Sequence, residues 1–101
     1  MMEKAYRISE KAALDLEEIW LYTFENWSEK QADRYFDLIM DEIEYLSTHV
    51  EAGKSISNII EGYRVSKVKS HLVFYKVSTD TVIEVIRILH ERMDIENRLK
   101  Q

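Results

Sequence analysis

The stretch from Val82 to Asp94, Val-Ile-Glu-Val-Ile-Arg-Ile-Leu-His-Glu-Arg-Met-Asp, restricts the fold more than any other part of the chain. Its first eight residues hold five Val or Ile and one Leu, the composition of a β-strand. Strict alternation would point Val82, Glu84, Ile86 and Ile88 one way and Ile83, Val85, Arg87 and Leu89 the other. Both sets are mostly apolar, so the strand is expected to be central and covered on both faces. The pattern then stops at a polar cluster, His90, Glu91, Arg92 and Asp94, with Met93 among them. A buried strand that ends in such a cluster is a common way for a scaffold to present function.

Upstream, the chain shows helical periodicity. Ala5 to Ile8 is a short strand candidate. Ser9 then reads as an N-cap with Glu10 in the first turn. Ala12, Leu16, Ile19, Trp20 and Thr23 form an apolar stripe of a helix running to about Asn26. Ser28 is a second N-cap, with Gln31 completing a capping box and Trp27 placed to staple onto Ala32. Behind it run Ala32, Tyr35, Phe36, Ile39, Ile43 and Leu46, with Asp33, Asp37, Asp41 and Glu44 on the opposite face, to an end near His49. The one- or two-residue link makes these helices an αα-hairpin. Val50 to Glu61 reads as a loop pinned by Ile56, Ile59 and Ile60, and Gly62 opens the turn into a strand from Tyr63 to Val68. A further strand spans His71 to Val77, and Ser78-Thr-Asp-Thr81 turns into the Val82 strand. Ile95 and Leu99 mark a short helical tail.

The predicted fold is therefore α+β. A short N-terminal strand and an αα-hairpin precede a three-stranded antiparallel meander and a short C-terminal helix. The expected organisation is a single domain over residues 1–101, long enough to bury roughly two thirds of its unfolded surface. With 46% apolar and 33% charged residues the composition is that of a globular protein. There is no cysteine, so disulfides and zinc–thiolate sites are excluded. Neither a membrane-length apolar run nor a signal-peptide core is present, which makes the cytoplasm the expected location.

Charge is divided unevenly. The formal net charge is −5. Residues 1–61 carry 6 Lys+Arg against 14 Asp+Glu, and residues 62–101 carry 8 against 5. The excess of acid argues against non-specific nucleic-acid binding by the whole surface. Two helices cover only one face of the meander, and the short tail covers part of the other. The expectation is an exposed apolar patch over the strands, and hence a protein partner.

Glycine-rich phosphate loops and His-Glu-x-x-His are absent, and His49, His71 and His90 show no metal-ligand spacing. No cofactor is expected. RNA cleavage without a metal needs a base, an acid and a cation. Arg64, His71, Arg87, His90, Glu91 and Arg92 supply those chemical types. The competing reading makes Arg64 and Arg87 structural partners of carboxylates and the histidines structural hydrogen-bonders.

Arg87-Ile-Leu-His-Glu-Arg-Met-Asp94 resembles the closing signature of the ParE branch of the RelE/ParE toxin superfamily. Ala12, Asp15, Leu16 and Ile19 resemble its first-helix pattern, and Trp27, Gln31, Ala32 and Tyr35 the start of its second helix. Gly62-Tyr63-Arg64 and His71-Leu-Val-Phe-Tyr75 resemble the strands that follow. The resemblance implies a toxin of a type II toxin–antitoxin system that binds DNA gyrase and is held by a ParD-like antitoxin in a hetero-oligomer. RelE-type ribosome-dependent nucleases carry an arginine where this chain has Leu72, three positions before Tyr75. That difference counts against the alternative of an mRNA endoribonuclease.

For target contact the expected residues are His90, Arg92, Met93 and Asp94, with the other possibility that Arg92 and Asp94 cap and dock the tail. For the antitoxin they are Arg64, Lys67, Lys69, Leu72, Phe74 and Arg87, under an acidic and apolar segment laid against the strands.

Overall fold

The computed structural model describes residues 6–78 and 81–100. The elements in chain order are β1 (Tyr6–Ile8), α1 (Glu10–Asn26), α2 (Glu29–Thr48), β2 (Lys54–Ser55), β3 (Tyr63–Val68), β4 (His71–Val77), β5 (Ile83–His90) and α3 (Ile95–Leu99). They form one five-stranded sheet in the order β1-β5-β4-β3-β2, with β3, β4 and β5 as the antiparallel meander. Two features extend the predicted architecture. β1 pairs in parallel with β5, and the expected loop contributes the two-residue β2 to the far edge. Ala5, Thr79 and Asp80 of the predicted strand and turn lie outside the described residues.

Both helix starts follow from their caps. The Ser9 hydroxyl accepts from Ala12 N at 3.0 Å, and the Ser28 hydroxyl from Gln31 N at 3.1 Å. Each satisfies one orphan donor of a first turn. Trp27 does not staple onto Ala32 as expected: Ala32 is fully buried, whereas Trp27 is 73% exposed. Gly62, at φ +84°, provides the left-handed turn that starts β3.

Two cores lie on opposite faces of the sheet. On the helical side Ala12, Leu16, Ile39, Ile43 and Leu46 pack on Val73, Tyr75, Ile83, Val85 and Ile88. On the other side Ile56 and Leu99 close over Phe74 and Leu89, joined by Ile60, Tyr63, Val65, Leu72 and Ile95. The second core corrects an expectation. The strands' outer face is largely covered from within the chain, by α3 and by the segment carrying Ile56 and Ile60. Phe74 retains only 2% exposure there, while Ile59 points out to solvent.

A β-bulge alters the faces of β5. Tyr75 pairs with Val85 but Phe74 pairs with Arg87, so Ile86 is an extra residue opposite β4. Side chains before and after it therefore change sides. Ile83, Val85 and Ile88 share the helical core, whereas strict alternation would have separated Ile88 from the other two.

The loop after α2 is locked by Tyr75. Its hydroxyl donates to Val50 O and accepts from Gly53 N, both at 2.9 Å. A side chain at Gly53 would meet the Tyr75 ring at under 3 Å. Arg64 completes the lock through Nε to Gly53 O and Nη2 to Glu51 O.

Ile39→Ala or Ile43→Ala, both fully buried, should cost about 2–5 kcal/mol in urea denaturation. Asp37→Ala and Asp41→Ala, on the exposed face, should change stability by no more than about 0.5 kcal/mol. Aspartate variants with the larger shift in midpoint would reverse the assignment of the helix faces.

Candidate functional site

β1 covers the outer edge of β5 only as far as Val85, and beyond it the edge belongs to side chains from α1. Ser9 N donates to Val85 O, and Ser9 Oγ donates to Ile86 O at 2.8 Å. Asp15, one helical turn past the first, accepts from Ile88 N at 2.9 Å. The same carboxylate takes Arg87 in a two-point grip, Nε to Oδ2 at 2.8 Å and Nη2 to Oδ1 at 3.0 Å. Arg87 Nη1 then donates to Arg98 O at 3.2 Å, which ties in α3. Asp15 and Arg87 are both buried. The hydrogen bonds to Asp15 hold the Arg87 guanidinium above its ordinary pKa, so it stays charged.

Past Ile88, β5 reaches a cleft of about 510 Å³. Its walls include Ile19, Tyr22 and Thr23 from α1, His71 from β4, and His90 and Met93. An adjoining hollow runs on to Trp27, Tyr35 and Lys69. The bulge matters here, because it places His71 directly opposite His90. Counted straight from the Val77–Ile83 pair, His71 would have faced Leu89. The two imidazoles meet edge to face with centroids 5.2 Å apart. His71 Nδ1 also shares a 2.6 Å hydrogen bond with the Tyr35 hydroxyl, which lies 3.3 Å from Val68 O. His90 Nδ1 accepts from Arg92 N at 3.1 Å, which leaves Nε2 as the protonated nitrogen of the neutral ring. Burial, then the neighbouring His90, lower the His71 pKa to about 4, against smaller opposing effects of Asp15 and Glu91. Burial likewise raises the Tyr35 phenol. His71 and Tyr35 are thus neutral at ordinary pH and suited to single hydrogen bonds, and Asp15 and Glu18 also line the cleft.

The other residues singled out in the sequence separate in space. His90 and Met93 stand at this cleft. Arg92 is exposed beside it, and Asp94 caps α3 by accepting from Asn97 N and Nδ2. Lys67 pairs with Glu91 at 2.9 Å, a surface contact that draws the Glu91 pKa down. Lys69 is exposed at φ 55°, and Leu72 is half-buried on the far face. Arg64, Phe74 and Arg87 are engaged or packed inside. Of the candidate nuclease cations, Arg64 is bonded to loop carbonyls and Arg87 is locked to Asp15, while Arg92 lies exposed beside the histidines. Among the described residues, no three His, Asp or Glu side chains come together as metal ligands would. None of their helices is long and apolar enough to cross a membrane.

Asp15, Tyr35 and Tyr75 carry more of this architecture than composition suggested. Asp15 had a readable signal. It is a carboxylate within the spacing of Ala12, Leu16 and Ile19, where a charge is retained only if it has a buried partner.

Residues 6–95 match the family model described as the ParE toxin of the type II toxin–antitoxin system parDE. The chain belongs to the ParE toxin family. It is 35% identical over 98 residues to Toxin ParE1 of Mycobacterium tuberculosis, covering 97% of this chain and 100% of that one. Toxin ParE1 of Caulobacter vibrioides is 36% identical over 96 residues, covering 95% and 98%. Toxin ParE of Escherichia coli is 32% identical over 95 residues, covering 94% and 92%. Among solved structures, a chain of the "Chromosomal ParDE TA system from P. aeruginosa" superposes with a TM-score of 0.74 at 18% identity, over 84% of this chain and 92% of that one. The ParE fold is thereby shared, and the chain is a ParE toxin of a type II toxin–antitoxin system. The Arg87-to-Asp94 segment, one of those that carried the family resemblance, supplies Arg87 of the buried ion pair, His90 of the histidine pair and the Asp94 cap of α3.

Two outcomes follow for this ParE fold. Asp15→Ala strands the Arg87 charge and the Ile88 donor, and should cost about 3–5 kcal/mol; a loss below about 1 kcal/mol in urea unfolding would refute the role given to the pair. His71 binds its proton less readily folded, at about 4, than at its ordinary 6.5. Between those values the unfolded chain takes up a proton that the native one refuses, so stability falls as pH drops through that window and levels off below it. The stability difference between wild type and His71→Gln should shrink or reverse as the pH falls from 7 to 4.5, and a constant difference would contradict the assignment.

Proposed function

We propose that this toxin inhibits DNA gyrase by binding it, without catalysing a reaction, and that a ParD-like antitoxin neutralises it in a cytoplasmic hetero-oligomer. The observation that carries the non-catalytic part is the fate of Arg64 and Arg87, the two arginines on the strands. Phosphodiester cleavage without a metal needs a cation free to meet the developing charge. Arg87 is held by Asp15, Arg64 by two loop carbonyls, and Leu72 stands where a nuclease relative carries arginine. The names of the relatives, and the ParDE system to which the structural neighbour belongs, support the partner.

Target contact in this reading centres on His90, Arg92 and Met93, which stand together at the cleft and its rim. Asp94 acts through the α3 cap. For the antitoxin, Lys67 and Leu72 remain accessible on the strand side, whereas Lys69 borders the hollow beside His71 and His90. Phe74 and Arg87 serve as the packed base beneath that surface.

A second reading, a RelE-like endoribonuclease, is favoured by one observation, the juxtaposition of His71 and His90 with Lys69 nearby. Purified gyrase separates the two. The toxin should block supercoiling with cellular mRNA left intact, and Arg92→Ala with Met93→Ala should weaken the block by about tenfold or more. Primer extension after induction should show no cuts that depend on His71 or His90. Codon-positioned cuts that disappear in His71→Ala or His90→Ala would establish the second reading instead.

A further inference from the structure

At the end of the sheet, two imidazoles are anchored by the same ring atom and line one cleft. His71 and His90 are direct cross-strand partners, and both border the cleft beside α1. His90 Nδ1 accepts from Arg92 N at 3.1 Å. At His71 the partner is the Tyr35 hydroxyl, 2.6 Å from Nδ1 and 3.3 Å from Val68 O. An O–H donor bonds at about 2.5–3.0 Å, so the hydroxyl proton belongs to the shorter contact, His71 Nδ1. The Tyr35 oxygen is itself served by a backbone hydrogen bond from Ser70. Both Nδ1 lone pairs are therefore used. In a neutral ring the proton then sits on Nε2, so the pair offers a ligand two N–H donors and no imidazole lone pair.

Such a pair is not an acid–base couple. It fits an oxygen acceptor, and the surrounding charge decides which kind. The acidic side chains near the rings are already served. Asp15 is gripped by Arg87, Glu18 acts on the same guanidinium, and Glu91 pairs with Lys67. Lys69 borders the adjoining hollow, and Arg92 stands exposed beside His90. A single negative charge gains from these two cations. A polyanion would also meet the acidic hairpin, since residues 1–61 carry 14 Asp+Glu against 6 Lys+Arg. Ile19, Tyr22 and Met93 give the cleft apolar walls, which suit an acid carried on a peptide beside a large apolar residue. We propose that the cleft binds one carboxylate, the Asp or Glu side chain of a protein partner, through the Nε2–H groups of His71 and His90. The proposal deepens the target-contact reading and rests on it only for which protein supplies the acid. The site itself is testable on the toxin alone.

The probes are acetyl-Glu-Phe-amide and acetyl-Gln-Phe-amide, which differ only in carboxylate against carboxamide, added to the isotope-labelled full chain. Long-range proton–nitrogen NMR spectra should show Nε2 protonated in both rings at neutral pH before any peptide is added. The Glu peptide should shift both Nε2 signals saturably and bind at least about fivefold more tightly than the Gln peptide. It should also raise the His71 titration midpoint from about 4, because a bound anion favours the charged ring. His90→Phe keeps a ring, removes the donor and should weaken the Glu peptide by about fivefold. Lys69→Gln, at an exposed position, should flatten the dependence of binding on salt, with both variants checked for fold by circular dichroism. Protonation at Nδ1 in either neutral ring, or equal affinity for the two peptides, would overturn the proposal. So would tighter binding of inorganic phosphate, or of acetyl-Gln-Phe with a free terminal carboxylate, since the acid would then be a phosphate or a chain end. A toxin that binds the Glu peptide without blocking gyrase would keep the site and lose only the target.

Discussion

The outer edge of β5 is the constraint on which much else depends. A strand in the interior of a fold cannot leave its N–H and C=O groups unpaired without a cost of roughly 1–3 kcal/mol each. β1 is only three residues long and runs out at Ile8. The chain solves the problem with the start of α1 rather than with more strand. Ser9 caps the helix and binds the strand at once, and Asp15 reaches the Ile88 donor one and a half turns later. This fixes the rotation of α1 about its axis as well as its distance from the sheet. Arg87 then compensates the buried carboxylate and extends the tie to Arg98 O. α1 is held to β5 and α3, more than seventy residues away, through one ion pair. Such a pair is not in itself a large source of stability, since desolvation offsets much of its attraction. What it supplies is a defined arrangement, because the two-point grip fixes the orientation of both side chains.

The bulge at Ile86 has an equally local cause and a wider effect. One extra residue moves the register, and with it His71 comes opposite His90 and Ile88 joins the helical core. No feature of composition announces it, because Ile86 is as good a strand residue as its neighbours. This is why alternation read from the sequence placed Ile88 on the wrong face, and why the histidine pair was invisible there. The helices were legible for the opposite reason. Their periodicity of 3.6 repeats over four or five turns, and serine at each N-cap marks the start. Asp15 lay in between, readable as an anomaly in an apolar stripe but without an address for its partner.

The outer face of the sheet was misjudged through the loop. Val50 to Glu61 looks like a connection, with its glycine and serines, and a connection is normally counted as surface. Here Ile56 and Ile60 fold onto Phe74 and Leu89, and Leu99 meets them from the other end of the chain. What places the loop is a set of long-range hydrogen bonds, Tyr75 to Val50 and Gly53, and Arg64 to Gly53 and Glu51. Long-range bonds of this kind have no local sequence signature. The apolar surface still unaccounted for sits on the outer face of the hairpin, where the acidic residues had suggested only solvent.

The same commitments bear on function. A side chain that holds a fold together by a buried, bidentate bond is not free to follow charge in a transition state. Moving Arg87 onto a phosphate would leave Asp15 with a buried charge and would release α3. An arginine in that position is therefore useful to a protein that acts through the shape of its surfaces and a poor choice for one that acts through phosphate chemistry. The histidine pair is consistent with this division. His71, held neutral and bonded to Tyr35, is a weak proton acceptor at ordinary pH. Its ring and that of His90 shape one wall of a cleft bordered by Tyr22 and Met93. The charge of the chain points the same way. An acidic hairpin and a mildly basic second half of the chain differ in sign, and such a difference favours partners of opposite charge.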